Sequence, residues 1–72
     1  MTTVRDLYLE AQSMKERNVN PRQIRELLLD RGHQIGNMIL NEIGQGETYV
    51  LVFSSTGEKI GFDGVDYHFA WS

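Results

Sequence analysis

The chain has no cysteine, a single proline and no long apolar run. Without cysteine there is no disulfide scaffold, no thiolate zinc site and no cysteine nucleophile. The longest unbroken apolar stretches are of the size of Val50-Leu51-Val52-Phe53, far short of the roughly 18–20 residues that span a bilayer. The first residues, Met1-Thr2-Thr3-Val4-Arg5-Asp6, lack the basic-then-apolar pattern of a signal peptide. A cytoplasmic, single-domain protein over residues 1–72 is therefore expected, with no membrane segment. Its length is compatible with a phage or mobile-element protein. At 72 residues, 40% hydrophobic and 24% charged, it falls in the globular range and holds one small core.

Positive charge is scarce in the second half. The overall balance is −3, from 7 basic and 10 acidic side chains. Residues 1–31 carry Arg5, Lys15, Arg17, Arg22, Arg25 and Arg31 against Asp6, Glu10, Glu16, Glu26 and Asp30. Residues 32–72 carry only Lys59 against Glu42, Glu47, Glu58, Asp63 and Asp66. A phosphate-binding surface in the second half would work against that sign.

Apolar periodicity divides the chain into a helical and an extended part. Val4, Leu7, Ala11 and Met14 recur at three- and four-residue steps, predicting a helix over about 3–17. Thr3 and Asp6 have the spacing of a capping box at its start. Asn20 and Pro21 suit the cap and first position of a second helix, over about 21–31, with Ile24, Leu27 and Leu28 inward and Gly32 as its stop. Ile35, Met38, Ile39 and Ile43 keep helical spacing and predict a third helix over about 34–43, although no Ser, Thr or Asp marks its cap.

The last third alternates. Strands are expected over about 47–54, 58–62 and 65–71, with turns at Thr56-Gly57 and Asp63-Gly64. These turns pair Phe53 with Ile60 and Phe62 with Val65. They gather Tyr49, Leu51, Phe53, Ile60, Phe62, Val65, Tyr67, Phe69 and Trp71 on one face. The expected architecture is α+β, three short N-terminal helices on a three-stranded antiparallel meander. Phe69 and Trp71 are expected to pack, and the sheet's other face stays open.

Catalytic signals are weak. There is no Ser/His/Asp order, phosphate loop or metal-ligand spacing. His33 and His68 are the only histidines, and Gly44-Gln45-Gly46 reads as a connector. Asp63, Asp66 and His68 are the one conceivable metal set, read here as turn and surface polar residues. No enzyme, cofactor or metal is expected.

The stretch from Ile24 to Ile43, two apolar-periodic segments around Gly32, resembles helix-turn-helix modules. With the following hairpin it looks like a small winged-helix domain. That resemblance implies a recognition helix at about 34–43 and a wing at about 54–59. Gln34, Asn37 and Asn41 would then face base edges, and Lys59 phosphate. The preferred reading is different: a non-catalytic interaction module, a small regulator or inhibitor that binds another protein, or a second copy as a homodimer. It would use an acidic and apolar surface made by Leu29, Leu40, Val50, Val52, Glu42 and Glu47. DNA binding as a helix-turn-helix transcriptional regulator is the alternative.

Overall fold

A computed structural model of the chain describes residues 3–42 and 48–71. Helix α1 spans Val4–Glu16 and α2 spans Pro21–Ile35. Four strands follow: β1 Met38–Glu42, β2 Tyr49–Phe53, β3 Glu58–Phe62 and β4 Tyr67–Trp71. They form one antiparallel sheet in the order β1-β2-β3-β4.

The helix starts follow from their caps. The Thr3 amide donates to Asp6 Oδ2 at 2.9 Å, and the Asp6 amide donates to Thr3 Oγ1 at 3.1 Å, a reciprocal capping box. Hydrogen bonds from the Thr3 amide and then the Thr3 side chain hold the Asp6 carboxyl below its ordinary value. Helix α1 ends where Asn18 takes a left-handed φ of 61°. The Asn18 amide reaches the Lys15 carbonyl and the Val19 amide reaches that of Met14, both at 3.0 Å, which satisfies two orphan carbonyls at once. Asn20 Oδ1 accepts from the Arg22 amide at 2.8 Å, and Pro21 opens α2.

Helix α2 does not stop at Gly32; it runs through Gly32 to Ile35. The glycine serves packing here. A Cβ at position 32 would lie 2.3 Å from Met38 Sδ and 3.4 Å from Phe53 Cε2. The missing side chain lets α2 approach β1 and β2.

The expected third helix is absent. Residues 38–42 form β1, an edge strand paired with β2 through Met38–Phe53, Leu40–Leu51 and Glu42–Tyr49. The three-helix, three-strand architecture is thus corrected to two helices on four strands. With it go the winged-helix resemblance and the helix-turn-helix reading, since residues 38–42 of the expected recognition helix form a strand. The segment proposed as a wing is the β2–β3 turn of a continuous meander. The ladder with β2 accounts for the change: pairing engages the inward backbone groups of 38–42 and leaves the others at the solvent-facing edge, whereas the uncapped helix left its first amides unpaired.

The two hairpins are shifted from their expected register. Phe53 pairs with Glu58 and Leu51 with Ile60; Phe62 pairs with Tyr67 and Ile60 with Phe69. Positive φ falls at Gly57 (77°) and Gly64 (97°). In the second turn Gly64 and Val65 are therefore the central residues, and Asp63 keeps a negative φ. Asp63 instead accepts the Val65 and Asp66 amides on Oδ1, at 2.8 and 2.7 Å. Each partner moves by two positions, an even step, so the facing of the strand residues survives. Only Val65 leaves the set, exposed in the turn.

Both helices lie on the same side of the sheet. Val4, Leu7, Ala11 and Met14 of α1 and Ile24 and Leu28 of α2 bury against Met38, Tyr49, Leu51, Phe53, Ile60, Phe62 and Tyr67. Tyr49, Phe62 and Tyr67 form a ring ladder, with centroids 5.8 and 4.5 Å apart. Arg25 of α2 places its guanidinium 5.8 Å from the Tyr49 ring centroid. Ion pairs from Arg31 to Glu10 and from Lys15 to Asp66 tie α1 to α2 and to the β3–β4 turn. Both are partly exposed, so packing dominates over these pairs.

Candidate functional site: the uncovered sheet face

Alternation along the strands dictates what the second face carries. Cross-strand register gives two rows there. One row runs Ile39, Val52, Lys59, Ala70; the other runs Asn41, Val50, Gly61, His68. No helix covers this face among the described residues, because the core residues of α1 and α2 all pack with the opposite one. Ile39 is 53% exposed, and Val50 and Val52 are half-buried. Three branched aliphatic side chains on two adjacent strands thus form the centre of a small apolar field. Asn41, Lys59 and His68 make its polar margin.

The residues expected to bind a partner are dispersed. Val50 and Val52 meet on the open face. Leu29 and Leu40 are half-buried against the core on the helical side, where they widen it. Glu42 ends β1 at the Tyr49 register position, and Glu47 lies outside the described residues. Of the residues assigned to DNA, Gln34 is exposed in the last turn of α2, Asn37 precedes β1, Asn41 and Lys59 sit on the open face. They share no helix.

Ile39 is the residue the sequence reading missed. Helical spacing places it in a third helix over about 34–43. The available signal was the alternation of Met38 and Leu40 with Ile39 and Asn41, together with Gly36-Asn37 as a break before them.

A second apolar feature lies at the β4 edge. Tyr8 of α1 meets Phe69 at 5.5 Å between ring centroids, and Phe69 meets Trp71 at 5.6 Å. Gln12 donates to the Tyr8 hydroxyl at 2.7 Å. Phe69 packs as expected, but Trp71 is 69% exposed, at the end of an edge strand that no helix covers there among the described residues.

The three polar residues considered for a metal do not converge. Asp63 Oδ2 lies 2.8 Å from His68 Nε2, while Asp66 pairs with Lys15. Among the described residues no group of three or more His, Cys, Asp or Glu stands together as a metal site, and no helix is long and apolar enough to cross a membrane.

Asp63 is the electrostatic anchor of the β3–β4 turn. The backbone amide of Asp66, then the His68 side chain and the Val65 amide, hold its carboxyl far below the usual carboxylate range. A depressed carboxylate contributes stability that is complete above its unfolded pKa of about 4 and is lost as pH falls toward the folded value. Acid titration of folding stability is therefore expected to decline below about pH 4. In Asp63→Asn that decline is expected to be shallower, because the amide keeps an acceptor oxygen and has no charge to lose. Equal acid slopes for the two proteins in denaturant melts would remove Asp63 from this role.

In comparisons with protein families, curated proteins and solved structures, nothing matches this chain. Its class is defined by its own geometry: among the described residues, two helices pack on one face of a four-stranded antiparallel sheet and leave the other face uncovered.

Proposed function

We propose that the protein is a non-catalytic interaction module that binds another protein through the uncovered sheet face. The observation that carries this reading is the position of Ile39, Val50 and Val52. They stand side by side across β1 and β2, on the face opposite the core. A contiguous apolar patch rimmed by polar residues is one of the surface features that can mark a contact site. A polar margin of Asn41, Lys59 and His68 around an apolar centre is the usual anatomy of such a site.

Size defines the kind of contact. Four strands at about 4.8 Å spacing and five residues at about 3.4 Å rise present roughly 300 Å². A standard interface buries about 800 Å² per partner. The face suits one amphipathic segment of a partner or a transient complex. Regulation or inhibition of that partner is the mode of action that such a module offers, since it supplies binding energy without chemistry.

The test is a double variant, Ile39→Lys with Val52→Lys, compared with Leu9→Ser on the exposed outer side of α1. Each is used as bait in extracts of the native host. The reading expects unchanged melting temperatures for both. It expects partner capture to be lost in the double variant and kept in Leu9→Ser. Capture that survives the two lysines would overturn it.

A further inference from the structure

We infer that the chain self-associates through the free edge of β4, pairing antiparallel with β4 of a second copy to extend the sheet from four strands to eight. This surface is separate from the uncovered face and does not depend on it.

Sheet edges are normally guarded by lysine, proline, bulges or inward charge. Strand β4, Tyr67-His68-Phe69-Ala70-Trp71, has no proline and no Lys, Arg, Asp or Glu, and its five-residue pairing with β3 runs without a bulge. The opposite edge, β1, ends in Glu42. The direction of the β4 backbone groups follows from the turn. Asp63 donates its amide to the Asp66 carbonyl at 3.2 Å, which makes 63–66 a hydrogen-bonded pair. Hydrogen-bonded and non-bonded pairs then alternate along the ladder. His68 and Ala70 turn their N–H and C=O toward β3; Phe69 and Trp71 turn theirs outward. Among the described residues no hydrogen bond reaches the backbone of Phe69 or Trp71 from outside the sheet.

The occupant follows from self-complementarity. An isologous pair about a two-fold axis must match a strand to its own reverse. Phe69 is the midpoint of β4, so full overlap puts Phe69 opposite its symmetry mate. Trp71 then lies opposite the mate of Tyr67, and His68 opposite that of Ala70. Aromatic side chains meet aromatic ones on the helical face, where Tyr8 already flanks Phe69. Such cross-strand aromatic pairs are among the favourable ones. No acidic or basic pair of like sign is brought together along the strand.

Sedimentation across a wide dilution series tests this, with Trp71→Pro and Trp71→Val as the variants. Proline removes an outward amide at an edge position that tolerates it; valine removes the indole and keeps the amide. The wild-type mass is expected to rise from 8.3 kDa toward about twice that with concentration. Trp71→Pro is expected to stay monomeric with an intact fold, Trp71→Val to dimerise more weakly, and the Ile39→Lys/Val52→Lys protein to dimerise normally. In the wild type, amide exchange at Phe69 and Trp71 is expected to slow at high concentration and to quicken on dilution, while Ala70 stays protected. A monomer at every concentration would overturn the inference. So would a dimer that survives Trp71→Pro but is lost with the two lysines, since that dimer forms through the face. The exchange measurement decides the question if Trp71→Pro fails to fold.

Discussion

Replacing Phe53 with alanine is expected to remove about 3–5 kcal/mol of folding stability, the usual cost of deleting a fully buried aromatic ring. Phe53 is completely buried, the largest such side chain of the core. It stands where the two halves of the domain join. Its strand pairs with β1 at Met38 and with β3 at Glu58, and its ring lies beside the position left empty by Gly32. A domain of this length has on the order of 4–10 kcal/mol in total, so the variant is expected to be largely unfolded at physiological temperature. Trp71→Ala removes a larger ring at an exposed position and is expected to cost less than about 1 kcal/mol. Urea melts at constant m-value measure the difference. Equal losses for the two would mean that β2 does not lie at the centre of the core.

The second large effect separates two adjacent residues. Leu51→Lys is expected to abolish folding, because an ammonium group would stand at a fully buried position among Leu40, Ile60 and the helices. An unpaired buried charge is one of the few single changes that cost more than about 4 kcal/mol. Val52→Lys, one residue on, is expected to change stability by less than about 1 kcal/mol, because its side chain points to the open face and can extend into water. Circular dichroism and thermal melts of the two purified proteins give the result. An unfolded Val52→Lys would mean that something within the chain covers that face, and the proposed binding surface would be lost with it.

Much of this architecture is written locally in the sequence. The capping box at Thr3 and Asp6, the Asn20-Pro21 start and the stripes of α1 and α2 each need only a few neighbouring residues. The facing of β2, β3 and β4 was equally legible, since the observed register differs from the expected one by an even step, which keeps each residue on its face. The turn centres were less so. Asp63-Gly64 was read as the central pair, but Asp63 gained more by accepting two amides from outside the central position.

Strand β1 was misread because its evidence is not local. Ile35, Met38, Ile39 and Ile43 satisfy helical spacing, and short apolar segments fit both periods. What selects the strand is the free edge of β2, which offers Leu51 as a partner for Leu40 and Phe53 for Met38. Gly32 misled in the same direction. A glycine near a helix end suggests a stop, but here it admits Met38, a contact that exists only once the sheet is formed. The candidate site inherits this error. Val50 and Val52 could be named from alternation alone, whereas Ile39 joins them only when residues 38–42 are extended.

The central claim is that residues 38–42 form an edge strand, which turns Ile39 outward beside Val52. Ser54 donates its amide to the Asn37 carbonyl at 3.0 Å, so 37–54 is a hydrogen-bonded pair and 40–51 is a close, non-bonded one. A nuclear Overhauser spectrum measures this directly. A strong cross-peak between the Hα protons of Leu40 and Leu51 is the expected result. Contacts from Hα of one residue to the amide three positions on, running through 38–42 without the Leu40–Leu51 peak, would contradict it.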